Sequence, residues 1–272
     1  MTFFIRRDNM EEIFSQQNHH LSYNVQERPD LTIGITTRTD GHSPYPNNAF
    51  NMARYIDDNP ENITKHQRVL ADEIGFSCDS WLFPIQTHEN KIQEVKSSDR
   101  GKNISELTNE LYGLDGLYTY ESNILLTMCF ADCVPIYLYD TNSEYVGLCH
   151  AGWRGTQSQI IKEMIENYKG DIENLRIVIG PSTSNSYEIN DDIYNKFKSL
   201  PIDSSLYIEN RGQNKHGIDL KRANELLAIF YGVKPEHIVK TNHCTASETD
   251  KFFSYRVEQG NTGRMLAFIG RK

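Results

Sequence analysis

Three short segments of this sequence each carry a side chain suited to a borderline or soft metal ion. Gln86-Thr87-His88 offers an imidazole, Ala131-Asp132-Cys133 a thiol, and Cys149-His150 a second imidazole. Two imidazoles and one thiolate make a three-ligand zinc set whose fourth position stays open for water or substrate. Water in such a position has its pKa lowered to about 7, which provides a nucleophile at neutral pH. His88, Cys133 and His150 are therefore the candidate metal ligands and catalytic centre. Copper is an alternative or adventitious occupant, because the same donors also hold it. The three lie far apart in sequence, so spacing alone does not join them. Taken singly, each His reads equally as a solvated residue and Cys133 as a small core thiol. Cys129 and Cys149 are read as core; adjacent strand residues face opposite ways, so Cys149 turns inward if His150 faces a cleft. His19, His20, His216 and His237 stand in polar stretches and read as surface residues.

The candidate substrate contacts come from three other places. Gly152-Trp153-Arg154-Gly155 follows a strand and opens a helix, where free backbone N–H groups and the helix dipole favour an anion. Arg154 adds a planar fork suited to phosphate or carboxylate. A glycine-rich turn with Arg154 paired to a surface carboxylate is the plain alternative. Thr37-Arg38-Thr-Asp-Gly41-His-Ser43 and the nearby Phe50-Asn51-Met52 supply Arg38, Ser43 and Asn51 from a loop. Phe252-Phe-Ser-Tyr-Arg256 and Asn261-Thr-Gly-Arg264 place aromatic rings and two arginines near the C-terminus, a combination able to hold a flat heterocycle. An aromatic core strand followed by a turn accounts for the same residues.

The elements that must position these residues alternate along the chain. Leu31–Thr37, Leu117–Tyr120, Ile124–Phe130, Val134–Tyr139, Tyr145–His150, Leu175–Ile179 and Ile238–Lys240 are short apolar or β-branched runs of strand length. Trp81–His88 and Lys91–Val95 read as two strands joined by a tight turn, and Phe252–Tyr255 and Arg264–Ile269 as two more. Pro60–Ile74 reads as a helix capped by Asn59 with Pro60 at its first position. One helix after Gly155 carries Ile160, Ile161, Met164, Ile165 and Tyr168 on one face. Another, capped by Asp219, carries Leu220, Ala223, Leu227 and Phe230 and ends at Gly232. Residues 8–28 show no clear period. Interleaved strands and helices predict a single α/β or α+β domain with layered sheets over residues 1–272.

The 272 residues include 28 Lys and Arg against 37 Asp and Glu, a net charge of −9. That balance argues against non-specific nucleic-acid binding, which needs basic surface. The apolar runs are far shorter than a membrane span. At the N-terminus, Arg6 and Arg7 follow the apolar residues and Asp8 comes next, the reverse of a signal peptide. Five cysteines without a C-x-x-C pair read as thiols in a reducing compartment, and the protein is expected in the cytoplasm.

Several blocks resemble one family. Gln86-Thr-His88, Ala131-Asp-Cys133-Val-Pro135, His150-Ala-Gly-Trp-Arg-Gly155, Ile179-Gly-Pro181 with Tyr187-Glu188, and Phe253-Ser-Tyr-Arg256 with Thr262-Gly-Arg264 are similar to the YfiH/YlmD-type proteins. These are also called the polyphenol oxidase, laccase-domain or purine nucleoside phosphorylase family. The blocks keep the family's order from about residue 31 to 270. The resemblance implies a single domain with mixed β-sheets layered between helices, and one zinc ion on His88, Cys133 and His150. It implies phosphorolysis of purine nucleosides, deamination of adenosine and cleavage of methylthioadenosine at that one site, with nucleosides and phosphate as the small-molecule partners. Arg154 is then the first expected phosphate ligand, with Arg38 and Arg264 next, and Glu89, Asp132 and Asp115 are candidates for moving a proton. The sequence departs from the family after His88, where Glu89-Asn90 replaces a small residue, and at Asp40-Gly41 and Phe50. Three rival activities fit some of the same residues. A copper polyphenol oxidase needs many His, typically as His-x-His pairs, whereas nine His and no such pair are present. A cysteine hydrolase acting on cell-wall precursors would use Cys133 with His150 or His88 as base. A non-catalytic nucleoside-binding protein would keep the pocket alone.

Overall fold

The strand Ile124–Phe130 explains the layering. Ile124, Leu126, Met128 and Phe130 pack with Tyr137, Tyr139, Val146 and Leu148 in one core, while Leu125 and Cys129 pack with Leu70, Ala71 and Ile74 in another. A strand buried on both faces reads as a continuous apolar run, because each alternate set of side chains meets a different layer. The computed structural model describes residues 11–184 and 187–272. The residues that argue against a signal peptide, Arg6 to Asp8, lie outside the described residues. No helix among the described residues is long and apolar enough to cross a membrane.

Two six-stranded mixed sheets lie face to face. The first runs Ser15–Gln16, His20–Ser22, Leu31–Thr36, Met265–Arg271, Ile124–Phe130 and Trp81–Leu82 in spatial order. The second runs Ile238–Lys240, Leu175–Ile179, Val134–Asp140, Val146–Ala151, Gly116–Thr119 and Ile92–Glu94. Helix Pro60–Ile74 covers the outer face of the first sheet. Helices Ile160–Asn167 and Leu220–Phe230 cover the outer face of the second through Ile160, Ile161, Met164, Ala223 and Leu227. The result is a mixed α/β architecture with sheets layered between helices. The expected caps are present: the Asn59 side chain accepts from Glu61 N at 3.0 Å, and Asp219 from Arg222 N at 3.0 Å.

Several elements differ from expectation, each for a local reason. Trp81–His88 and Lys91–Val95 form no hairpin; Trp81–Leu82 pairs in the first sheet and Ile92–Glu94 in the second. Pro84 removes a ladder donor, and the Gln86 side chain takes over by bonding both Cys129 N and Cys129 O at 3.0 Å. Phe252–Tyr255 is no strand, because its backbone donors go to carboxylates: Ser254 N to Glu258 and Arg256 N to Asp132. The helix after Gly155 is broken into Trp153–Gln157 and Ile160–Asn167 at Gln159, whose φ is +61°. A five-residue opening helix offers little dipole for the anion site expected there.

A third, three-stranded sheet of Tyr187–Ile189, Lys215–Ile218 and Ile208–Gly212 went unseen in the sequence. Its hairpin turns through Gln213 and Asn214, both at positive φ, without the Asn-Gly pair that marks such turns. Two histidines expected on the surface are buried. His20 bonds Glu73, and His216 bonds Asp191 while stacking on Tyr194 at 4.2 Å.

Candidate metal centre and cavity

His150 is the next-to-last residue of the strand Val146–Ala151, on the face shared with Val146 and Leu148, so its ring reaches the rim of the layer between the two sheets. Cys149 faces the opposite core, as alternation requires. Cys133 sits at the end of the connection from Ile124–Phe130 to Val134–Asp140, and His88 in the segment that follows Trp81–Leu82. One donor atom from each of His88, Cys133 and His150 lies within 4.8 Å of the other two. No other group of three such donors comes together among the described residues.

The support around this cluster is a buried carboxylate. Asp115 is fully buried, and its Oδ1 lies 2.9 Å from His150 Nδ1. It also accepts the backbone N–H groups of Thr87, His88 and Glu89 at 3.1, 3.1 and 2.9 Å. One side chain thus orients the His150 ring and holds the turn that presents His88, whose φ is +63°. Asp132, at φ +82°, anchors the Cys133 connection in the same way. Its carboxylate accepts from Thr245 Oγ1 at 2.7 Å, Ser254 Oγ at 3.0 Å and Arg256 N at 2.8 Å. Both aspartates are committed to holding structure. Glu89, the remaining candidate for proton transfer, is exposed and does not line the cavity.

Two glycines explain the His150-Ala-Gly-Trp-Arg-Gly155 block. A Cβ on Gly152 would stand 2.9 Å from Cys133 Sγ, and one on Gly155 would stand 3.0 Å from His150 O and 3.1 Å from Glu89 O. A side chain at Gly152 would force the Cys133 thiol or the turn to shift, and one at Gly155 would crowd two backbone carbonyls.

Burial opposes ionisation of Cys133, but the charge of His150 and hydrogen bonds from His150 and His88 outweigh it and hold the thiol below its usual range. Burial likewise disfavours charge on His150, and Cys133 together with Asp115 pulls it back above the ordinary imidazole value. These donors suit a divalent cation. The thiolate is already favoured, and Asp115 occupies Nδ1 of His150, which leaves Nε2 for the cluster, the carboxylate–histidine pattern typical of metal sites.

The cluster opens into a cavity of about 750 Å³. Three of its wall arginines lie on aromatic rings: Arg154 over Trp153 at 4.4 Å, Arg256 over Tyr187 at 4.1 Å, and Arg264 over Tyr255 at 5.4 Å. Arg154 and Arg264 are therefore brought to the same space as the candidate ligands. Arg38, Ser43 and Asn51 are not. Arg38 is buried over Phe253 and bonded to Glu258 at 2.7 Å, beside a separate shallow groove. Ser43 is buried where its backbone pairs with Ala49. Asn51 is fully buried and accepts from Arg264 N at 2.9 Å, so it braces a wall residue without lining the wall. Tyr55 and Gln259 line the cavity unannounced by any sequence motif, and Cys129, read as core, also lines it. Burial pushes the Cys129 thiol up to about 12, which keeps it protonated.

A family model described as multi-copper polyphenol oxidoreductase laccase matches residues 32–272. The chain is 59% identical over 263 residues to a Staphylococcus epidermidis protein named purine nucleoside phosphorylase, covering 97% of this chain and 100% of that one. It is 57% identical over the same span and coverage to a Staphylococcus aureus protein of the same name. The chain belongs to this family. Among solved structures, YlmD from Geobacillus stearothermophilus matches with a TM-score of 0.93 and 35% identity, covering 96% of this chain and all of that one. YfiH from Bacillus licheniformis matches with a TM-score of 0.91 and 32% identity, covering 95% and 99%. The fold expected from the sequence blocks is thus the fold of the family. The copper in the family model's description calls for several clustered His, and the one donor group found among the described residues has two His and a Cys.

Proposed function

We propose that this protein is a metal-dependent enzyme of purine nucleosides that cleaves the N-glycosidic bond with phosphate. The observation that carries this reading is one cavity that joins a two-His, one-Cys donor set to Arg154 and Arg264, in a chain whose relatives are named purine nucleoside phosphorylase. His88, Cys133 and His150 would hold the metal, and we assign zinc from the donor types. A zinc ion bound there supplies a Lewis acid at the wall of the cavity.

The chain's own residues do the rest. The rings of Tyr187 and Tyr255, each covered on one face by an arginine, would offer the other face to a purine, while Arg154 and Arg264 would place donors for phosphate. In phosphorolysis a phosphate oxygen bonds to C1′ of the ribose, the C1′–N9 bond breaks, and the base leaves with the electron pair. A proton passes from phosphate to the base, giving free base and ribose 1-phosphate. Guanidinium groups fixed by stacking stabilise charge on the phosphate without reorganising. Deamination of adenosine and phosphorolysis of methylthioadenosine are proposed as further reactions of the same site.

The decisive experiment incubates zinc-loaded protein with adenosine, with and without phosphate, and separates the products by chromatography. Adenine that forms only with phosphate supports phosphorolysis, and inosine supports deamination. Intact adenosine in both tubes, repeated with inosine and guanosine, would overturn the reading.

A second reading has one observation in its favour. Cys133, His150 and Asp115 form a thiol–imidazole–carboxylate series like that of cysteine hydrolases. Such an enzyme works without metal and is inactivated by alkylation, so turnover that survives complete metal removal would favour it.

A further inference from the structure

We propose that the cavity recognises a nucleoside 5′-monophosphate, a ligand with an anionic group beyond the phosphate that phosphorolysis consumes; this rests on the nucleoside reading above. Arg154, Arg256 and Arg264 all line the cavity, each laid on an aromatic ring. Stacking fixes the plane of a guanidinium while leaving N–H groups on its edge for a ligand; Arg264 spends one nitrogen on Thr262 O at 2.6 Å and Gly263 O at 2.9 Å and keeps the rest of its fork. None of the three has a carboxylate within 4.0 Å among the described residues. Elsewhere in the chain Arg28, Arg38, Arg222 and Arg271 pair with Asp30, Glu258, Glu225 and Glu144. The chain as a whole carries a net charge of −9, and these three guanidinium groups gather in one cavity without an ion-pair partner among the described residues. Asp132, which lines the cavity, is engaged by Thr245, Ser254 and the backbone of Arg256.

Charge arithmetic then argues for a second anionic group. A phosphoryl group carries roughly −1.5 to −2 at neutral pH, which two arginines balance. The third guanidinium is left without a partner by the nucleoside reaction alone. A cavity of about 750 Å³ lies in the upper part of the range of roughly 300–1,000 Å³ that holds drug-sized ligands, so there is room for the larger ligand. Of the hydroxyls of a nucleoside, the 5′ oxygen is the one separated by the most bonds from C1′, so a phosphoryl group there leaves C1′ and the base edge least crowded.

The test is calorimetric titration of the full-length, metal-containing protein in phosphate-free buffer with AMP, adenosine and pyrophosphate. AMP is expected to bind about tenfold or more tightly than adenosine, as charge-assisted hydrogen bonds allow, and to be displaced by adenosine. Added salt should shrink that advantage. Arg256→Gln should shrink it as well, while keeping the backbone N–H that Asp132 accepts; Arg154→Gln serves as the second variant. AMP no tighter than adenosine, pyrophosphate as tight as AMP, or an unchanged AMP-to-adenosine ratio in both variants overturns the inference. Adenosine phosphorolysis is assayed on the same batch. Turnover without an AMP preference removes this inference alone, whereas neither turnover nor adenosine binding removes the nucleoside reading with it.

Discussion

Asp115 Oδ1 lies 2.9 Å from His150 Nδ1, and the same carboxylate accepts the backbone N–H of His88 at 3.1 Å. One buried group therefore sets the orientation of two of the three candidate ligands. Asp115→Asn removes the charge and leaves a donor facing groups that need an acceptor. Metal retention against a competing chelator is expected to fall by roughly 10–100-fold. Retention equal to wild type would mean that the carboxylate is only a structural tie.

His88→Ala and Cys133→Ala each delete one donor. His88 is exposed, so its removal costs little packing, and its variant should stay folded while losing metal and turnover together. Metal analysis by mass spectrometry and an adenosine assay on the same sample read both. Full turnover in a metal-free variant would discard the metal-dependent mechanism and favour the thiol–imidazole reading.

Gly152→Ala tests the close approach directly. The added Cβ would stand 2.9 Å from Cys133 Sγ, so the thiolate or the turn must shift. Misplacement of a reacting group by about 1 Å costs on the order of a hundredfold in rate. Loss of turnover with an unchanged melting temperature is the expected result. An active variant would show that the cluster has room to spare.

Arg154→Ala removes the fork stacked on Trp153. If it contacts phosphate, KM for phosphate should rise by about tenfold or more while KM for the nucleoside changes little. Equal effects on both substrates would count against that assignment.

Stability should depend on pH through a group remote from the cluster. His66 donates from Nδ1 to Asn51 O at 2.7 Å and accepts His42 N at Nε2 at 2.9 Å, so the folded state needs it neutral. Burial holds its pKa down at about 4, from an ordinary 6.5. As pH falls the unfolded chain takes up the proton first. The contribution of His66 is complete above 6.5 and is lost progressively toward 4, with about 2 kcal/mol gone near pH 5. Urea unfolding at neutral pH and near pH 5 should show a shallower loss in His66→Gln than in wild type. Parallel losses in the two proteins would contradict the assignment.

Much of the architecture is legible in the sequence because burial on two faces leaves unbroken apolar runs. Ile124–Phe130 and Leu175–Ile179 have the bounds expected from such runs, and Pro60–Ile74 is delimited by Asn59 and Gly75. The donor residues were legible by type, since imidazole and thiol are the side chains suited to a borderline metal ion. Elements whose backbone bonds go to side chains were not legible. Gln86 replaces a strand ladder after Pro84, and Asp132 with Glu258 replaces one at Ser254 and Arg256, which no period in hydrophobicity records.

The sequence by itself determined which chemical groups are available: two imidazoles, one thiolate and arginines beside aromatic residues. Only the tertiary structure decided which of them share a space. It joined His88, Cys133 and His150, because the segment after Trp81–Leu82, the connection from one sheet to the other and the end of Val146–Ala151 meet at the rim of one layer. It chose Arg154, Arg256 and Arg264 over Arg38 for the cavity, because Arg38 is drawn inward by Glu258 and three backbone carbonyls. It gave Asp115 and Asp132 their roles as anchors. A carboxylate's role depends on which donors surround it, and those donors come from segments that only folding brings together.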